Sequence, residues 1–322
     1  MKASIVGSPG ILPLLMRLNA GRRLLVLIYH RVLEEADPFR SGDVTAAAFE
    51  SQISLLQSVF TCQRFSDAVS EVRNSAGPTV AVTFDDGYKD NFEVALPILK
   101  RYGVPATFFV ATGFLDGRVM WNDTVIESIR FAIGKDVDLS MFGLGWQTLS
   151  STSAAIPVAH AVIKAIKYLD PFERQSCVDR LADQVGYSQR ERLMMEENEI
   201  RGLHRAGMEI GAHTVSHPIL KNIREEEARR EIRESKSQLE AITGAEVTSF
   251  AYPNGRPGSD FTGRDVDLVR KSGFEAAATT AWAAATDNVD RHAVPRVSIW
   301  GSSKWKLRLQ ISRNFRHVSA SR

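Results

Sequence analysis

Thr79-Val80-Ala81-Val82-Thr83-Phe84-Asp85-Asp86-Gly87 is the stretch whose reading decides the fold. An apolar, β-branched run reads as a strand, and it ends on two adjacent carboxylates and a glycine free to take positive φ. Neighbouring acids repel. Fixing both at a strand end suits a site in which a cation holds one and a reaction uses the other. An ordinary Asp-Asp-Gly turn has the same composition.

Further along, His213-Thr214-Val215-Ser216-His217 places two imidazoles four residues apart, again after an apolar run, Met208 to Ala212. On one turn of helix, positions i and i+4 lie about 6 Å apart, close enough to share an ion. Pro218 disfavours the α region for His217, so the pair belongs to a turn in a loop. Chance surface histidines share this spacing. Asp86, His213 and His217 together form a ligand set that leaves coordination positions open, as a catalytic metal site requires.

Outward from these runs, apolar strand-length segments alternate with amphipathic ones. Strands are expected at Leu24 to Tyr29, Thr79 to Phe84, Ala106 to Ala111, Met208 to Ala212, Thr248 to Tyr252, Phe274 to Thr279 and Val294 to Ile299. Thr45 is placed to cap a helix whose Phe49, Ile53, Leu56 and Phe60 form one stripe. A helix from about 224 to 243 has Glu225/Arg229 and Glu226/Arg230 spaced for pairing, with Gly244 as its stop. Pro97 must kink or restart a helix from Asn91 to Tyr102. This alternation predicts an α/β fold of parallel strands wrapped by helices. From 116 to about 198 the pattern turns mainly helical, an insertion between the aspartates and the histidines. Trp121 near its start suits either a wall for a sugar ring or, more commonly, packing in a core. One domain is expected: a core of about 24–115 and 199–300, the insertion, and a basic tail from about 301 to 322.

Composition narrows the function. With 322 residues, 44% hydrophobic, the chain can bury a full core, and a net charge of +2 gives no ground for nucleic-acid binding. Two cysteines, Cys62 and Cys177, exclude a disulfide framework and a cysteine-built zinc site. Pro13 and Arg17 break up the short apolar run Ile11 to Met16, which argues against a signal peptide, and no run is long enough to span a membrane. The six Lys/Arg between Lys304 and Arg322, interleaved with Trp305, Leu307, Leu309, Ile311 and Phe315, suit either an anionic membrane surface or a plain basic helix. No obligate protein partner is evident.

Several runs in one order, Tyr29-His30-Arg31-Val32, TFDDG with Tyr88, Ala106-Thr107-Phe108-Phe109-Val110, HTVSH with Pro218, Phe250-Ala251-Tyr252-Pro253-Asn254-Gly255 and Pro295-Arg296-Val297, resemble the polysaccharide deacetylases, NodB-like carbohydrate esterases. The resemblance implies a distorted (β/α)7 barrel and a hydrolase that removes acetyl groups from N-acetylhexosamines of a glycan or its precursor. It implies that Asp86, His213 and His217 hold one divalent ion, usually Zn2+ in this family, with Asp85 as base. Asn254, with Tyr252 and Pro253, would face the oxyanion and the sugar. In members with the Leu-x-Tyr-His pattern the motif order is permuted, so the general acid would be His30. Many members carry an Arg in the third motif where this chain has Phe250-Ala251; Arg296 is expected to replace it beside Asp85. Asn254 stands where many relatives have an aromatic residue. Asp287 and Asp290 are candidates to orient His30, or plain loop acids. A cytoplasmic setting, with the basic tail against the inner membrane face, would suit surface-glycan assembly. Other readings are a C–N hydrolase acting on a cyclic amide, a non-catalytic carbohydrate binder and a metal-stabilised scaffold.

Overall fold

The computed structural model describes residues 23–75, 77–189, 191–299 and 304–315. The apolar run at 11–16, and with it the signal-peptide reading, lies outside the described residues. So do 301–303 and 316–322 of the tail.

Seven parallel strands form one curled sheet: β1 (Leu24–Tyr29), β2 (Thr61–Gln63), β3 (Thr79–Phe84), β4 (Ala106–Val110), β5 (Glu209–Ala212), β6 (Ser249–Ala251) and β7 (Ala276–Ala278). Their order is β1-β3-β4-β5-β6-β7, with β2 paired to the first half of β3, Thr79 to Ala81. Every residue of β1 and β3 is buried, which is why these strands read as unbroken apolar runs without alternation. Six of the seven expected strands are present. β2 replaces the seventh, and its short, half-polar Thr-Cys-Gln carries no strand pattern. Val294–Ile299 is not a regular strand, because Pro295 lacks a ladder donor. It still joins the two ends of the sheet: Val294 bridges Ala278 of β7, and Val297 bridges Leu27 of β1. The result is a distorted barrel.

Among the described residues there are ten α-helices: α1 (Ala46–Val59), α2 (Phe65–Glu71), α3 (Leu96–Tyr102), α4 (Trp121–Phe131), α5 (Thr152–Ile166), α6 (Pro171–Val185), α7 (Glu197–Arg205), α8 (Glu225–Thr243), α9 (Gly263–Lys271) and α10 (Lys304–Asn314). Thr45 Oγ1 accepts from Ala48 N and caps α1, burying Phe49, Ile53 and Leu56 against the sheet. Pro97 sits in the first turn of α3, after a π-helical turn at Asn91–Ala95. α8 stops at Gly244 in the left-handed conformation, and its Arg229 pairs with Glu225 at 2.7 Å.

The described core falls into four apolar clusters. The largest lies between the sheet and its helices, a second, with Leu24, Val26, Ala81, Phe109, Ala251 and Ala278, fills the barrel, a third is built by α4, α5 and α6 with Phe142, Leu149 and Phe39, and a small one joins Tyr88, Met120 and Met194. Asp123 of α4 ties the insertion to the segment after β3. It is fully buried, accepts from Tyr88 Oη at 3.0 Å and pairs with Arg40 at 2.6 Å. Leu307 and Ile311 of α10, with Phe315 just after it, pack into the cluster between the sheet and its helices, whereas Leu309 is exposed. No described helix is long and apolar enough to cross a membrane.

Candidate metal centre and catalytic cleft

Asp85 and Asp86 leave the C-terminal end of β3, His213 that of β5, and Asn254 follows β6, so the chemistry-bearing residues gather at one mouth of the barrel. A cleft of about 300 Å³ is lined by His30, Asp85, Asp86, His213, His217, Asn254 and Thr280, and on its far side by Trp121, Asn122, Ile163, Lys167 and Arg174. The four described non-glycine residues with positive φ are Asp86 (75°), Thr214 (65°), His217 (54°) and Asn254 (59°). All belong to this site. Each is a conformation that costs an L-residue roughly 1–2 kcal/mol, so the surrounding bonds must enforce it.

Those bonds are visible. Thr112 N and Gly113 N donate to the carbonyls of Thr214 and Val215, tying the loop after β4 to the histidine loop. A Cβ on Gly113 would lie 2.7 Å from the Val215 oxygen, so the approach requires glycine. From α8, Glu231 accepts from Val215 N and Ser216 N, both at 2.8 Å, and from Ser216 Oγ at 2.7 Å. On the other side of the mouth, Asn91 Nδ2 donates to the His30 carbonyl while Asp90 holds Arg31 and Val32 N. His30 itself is exposed to the cleft.

Asp86 Oδ1 lies 3.4 Å from Nε2 of both His213 and His217, and the three ligand atoms lie within 4.8 Å of one another. Two ligands about 2.05 Å from a tetrahedral zinc would stand about 3.3 Å apart, close to the observed spacing of the acid from each imidazole. His213 Nδ1 lies 2.7 Å from the Ala251 carbonyl, which can only accept; the proton is therefore on Nδ1, and Nε2 faces Asp86. Burial, reinforced by nearby positive groups, pushes His217 down to about 3 against the opposing pull of Asp86. Burial would raise Asp86, but His217, His213 and His30 hold it below the ordinary carboxylate range. Its Oδ1 is buried with no hydrogen-bond partner. An ionised, orphaned oxygen beside the Nε2 atoms of two imidazoles fits a divalent ion.

Asp85 is disposed differently. Arg296, 1% exposed, forms a bidentate pair with it at 2.6 and 2.7 Å, and also donates to Thr83 Oγ1 and the Thr279 carbonyl. Burial works to raise Asp85, but Arg296, with His213, draws it below its ordinary value. Its nearer approach to His213 Nε2 is 3.9 Å, outside the ligand set. Asn254 N donates to no described group, whereas its carbonyl accepts from Thr280 Oγ1 at 2.9 Å.

Three expected contacts fall elsewhere. Tyr252 is fully buried, stacks on Phe261, and gives its hydroxyl to the His292 carbonyl and its N–H to Ala278, so nothing of it is left for an oxyanion or a sugar. Pro253 has no N–H, and its carbonyl accepts from Gly255 N. Asp287 is exposed, with its carbonyl held by Arg73; nearby Ala285 bonds Leu24 at the start of β1, which places this loop at the opposite end of the barrel from His30. Asp290 reaches His292 instead. Glu231, Asp90, Asn91, Lys167 and Arg174 were not singled out in the sequence. Asp90 and Asn91 follow TFDDGY directly and were within reach of a motif reading; Glu231 sits in a charged helix and has no distinguishing pattern.

The polysaccharide deacetylase family model matches residues 73–154 and 175–277. YxkH of Bacillus subtilis (strain 168), itself named a polysaccharide deacetylase by assignment only, is 20% identical over 281 residues, covering 86% of this chain and 71% of its own. Among solved structures, the Streptococcus pyogenes deacetylase PplD in complex with acetate superposes with a TM-score of 0.59 at 18% identity, covering 90% of this chain and 98% of that one. IcaB from Ammonifex degensii gives 0.56 at 20%, with 90% and 97% covered. These structures share the distorted barrel. With more than half of its length matched by the family model, the chain belongs to the polysaccharide deacetylases, hydrolases of amide bonds in acetylated glycans.

Proposed function

We propose that the protein is a metal-dependent deacetylase of N-acetylhexosamine units in a glycan or glycan precursor. The observation that carries this reading is the division of labour between adjacent acids: Asp86 Oδ1 is orphaned beside two imidazoles, while Asp85 is held ionised by Arg296. Asp86, His213 and His217 would hold one divalent ion, with zinc the best match to a two-imidazole, one-carboxylate set. Such an ion, when bound, polarises the acetamide carbonyl and acidifies water. Asp85 takes a proton from the attacking water; each of its oxygens keeps a lone pair beyond its bond to Arg296. The free N–H of Asn254 donates to the oxygen that gains charge. His30, exposed in the same cleft, gives a proton to the departing amine nitrogen. Trp121, partly buried at the cleft wall, is positioned to lie against a sugar ring. Residues 116–198 act as an insertion within one domain, forming the outer wall of the cleft. The acetate in the PplD complex is the product this reaction would release.

Acetate release from a panel of acetylated glycans tests this, with chelation, metal add-back and Asp85→Asn as controls. The reading requires release that chelation abolishes and metal restores; a fully loaded protein that liberates no acetate from any member of the panel refutes it.

A further inference from the structure

On the insertion side of the cleft, Arg174 of α6 is 5% exposed, yet no described carboxylate pairs with it. Its one described side-chain hydrogen bond runs from Nη1 to the Lys167 carbonyl at 3.3 Å, and its guanidinium lies over the Trp121 ring at 4.8 Å. Burial lowers its pKa, and Asp170 opposes this only weakly, because the Asp170 carboxylate is occupied capping α6 through Phe172 N and Glu173 N. Lys167 stands beside it, has no described acid partner and lines the same cleft. A buried cation without an anion is costly, and proteins rarely keep one.

The acids of the cleft do not compensate. Asp85 is neutralised by Arg296, and Asp86 belongs to the metal ligands. Arg174 and Trp121 also line a second, adjoining cavity of about 530 Å³, where Arg118 is paired with Asp116 and Asp179 is the remaining acid. The wall shared by the two cavities, Trp121 and Arg174, is therefore cationic and aromatic, and it lines the same cleft as Asp85, Asp86, His213 and His217. Guanidinium beside ammonium is the usual means of holding a carboxylate or phosphate.

We propose that Lys167 and Arg174 bind an anionic group, a carboxylate or phosphate, carried by the substrate next to its N-acetylated sugar. The proposal rests on the deacetylase reading above and specifies its substrate class. Trp121 contacts the sugar face, and the two cations fix which neighbouring unit is accepted.

The test compares kcat/KM for acetate release from three substrates: a neutral N-acetylglucosamine oligomer, an oligomer alternating N-acetylglucosamine with a uronic acid, and N-acetylglucosamine linked at C1 through a diphosphate to a short lipid. At least one anionic substrate is expected to exceed the neutral one by about 10- to 100-fold, the worth of a charge-assisted pair, and the advantage should shrink with added salt. Which anionic arm responds distinguishes carboxylate from phosphate. Arg174→Gln and Lys167→Gln should each lower the anionic-to-neutral ratio about tenfold, with Arg174→Lys retaining part of it. Because Arg174 also supports α6, Lys167→Gln, at a half-buried position with no described acid partner, keeps the test independent of folding. Equal rates on neutral and anionic substrates, or variants that slow both alike, overturn the proposal and leave the deacetylase reading intact. Absence of acetate from all three overturns both.

Discussion

The two walls of the cleft differ in how they are held. The barrel wall is buried, strained and saturated with bonds: Asp85 is locked by Arg296, His213 by Ala251, and the histidine loop by Glu231 and Gly113. The insertion wall, Trp121, Ile163, Lys167 and Arg174, has its own apolar cluster and leaves its cations without an acidic partner among the described residues. Geometry that must be accurate to a few tenths of an ångström is built where the supporting polar groups are bonded; what stays unpaired, Asp86 Oδ1 on one wall and the cations on the other, marks where an ion or a ligand completes the structure. The difference teaches that chemistry and selection occupy opposite sides of one cavity and can be altered separately.

Asp85→Asn should break the chemical wall most severely. It removes the base while leaving the ligand atoms in place, and kcat for acetate release should fall about 10²- to 10⁴-fold with metal content unchanged. Arg296→Ala comes next. Removing one partner strands a buried carboxylate and should cost about 3–5 kcal/mol of stability, read by denaturant unfolding. The sign of its pH effect follows from the two opposing influences on Asp85. In the native protein burial is outweighed by Arg296 acting with His213 and His30, so the lowered folded pKa contributes stability above the unfolded value of about 3.9, and that contribution is lost as pH falls through the folded value. Without Arg296, burial is opposed only by the two histidines, and the acid limb of the kcat/KM profile should move to higher pH. An unchanged profile would show that Arg296 does not set the state of Asp85.

Smaller effects sharpen the contrast. Glu231→Gln removes the charge from three hydrogen bonds to the histidine loop and should cost about 1.5–3 kcal/mol, together with weaker metal binding by calorimetric titration. Gly113→Ala forces apart two loops in contact and should cost about 1–3 kcal/mol, with a loss of metal affinity that an alanine elsewhere in the loop after β4 does not cause. Trp121→Ala, on the insertion wall, should raise KM for a glycan more than it lowers kcat and leave metal affinity unchanged.

Much of the barrel wall was legible because its signals are local. TFDDG and HTVSH each state a strand end and a side-chain type within a few residues, Pro295-Arg296-Val297 states the arginine, and the resemblance ordered them. Tyr252 shows the limit of that reading: its ring is in a matching motif, but stacking on Phe261 turns it into the core, a packing outcome with no local signature. Asp287 fails for a topological reason, since sequence proximity to Val294 does not reveal which end of the barrel a loop occupies. β2 was missed because three residues, two of them polar, pair to β3 without periodicity. The insertion wall was the least legible. Arg174 is one charged residue in an amphipathic helix, and only the placement of α6 against Trp121 reveals that it has no acid to pair with.

Metal stoichiometry in the Asp85→Asn and Asp86→Asn variants, measured after dialysis against zinc, tests the division between the two acids most directly. One ion per chain should remain in the first and be lost from the second. Loss from both, or retention by both, would contradict the assignment of Asp86 as ligand and Asp85 as base.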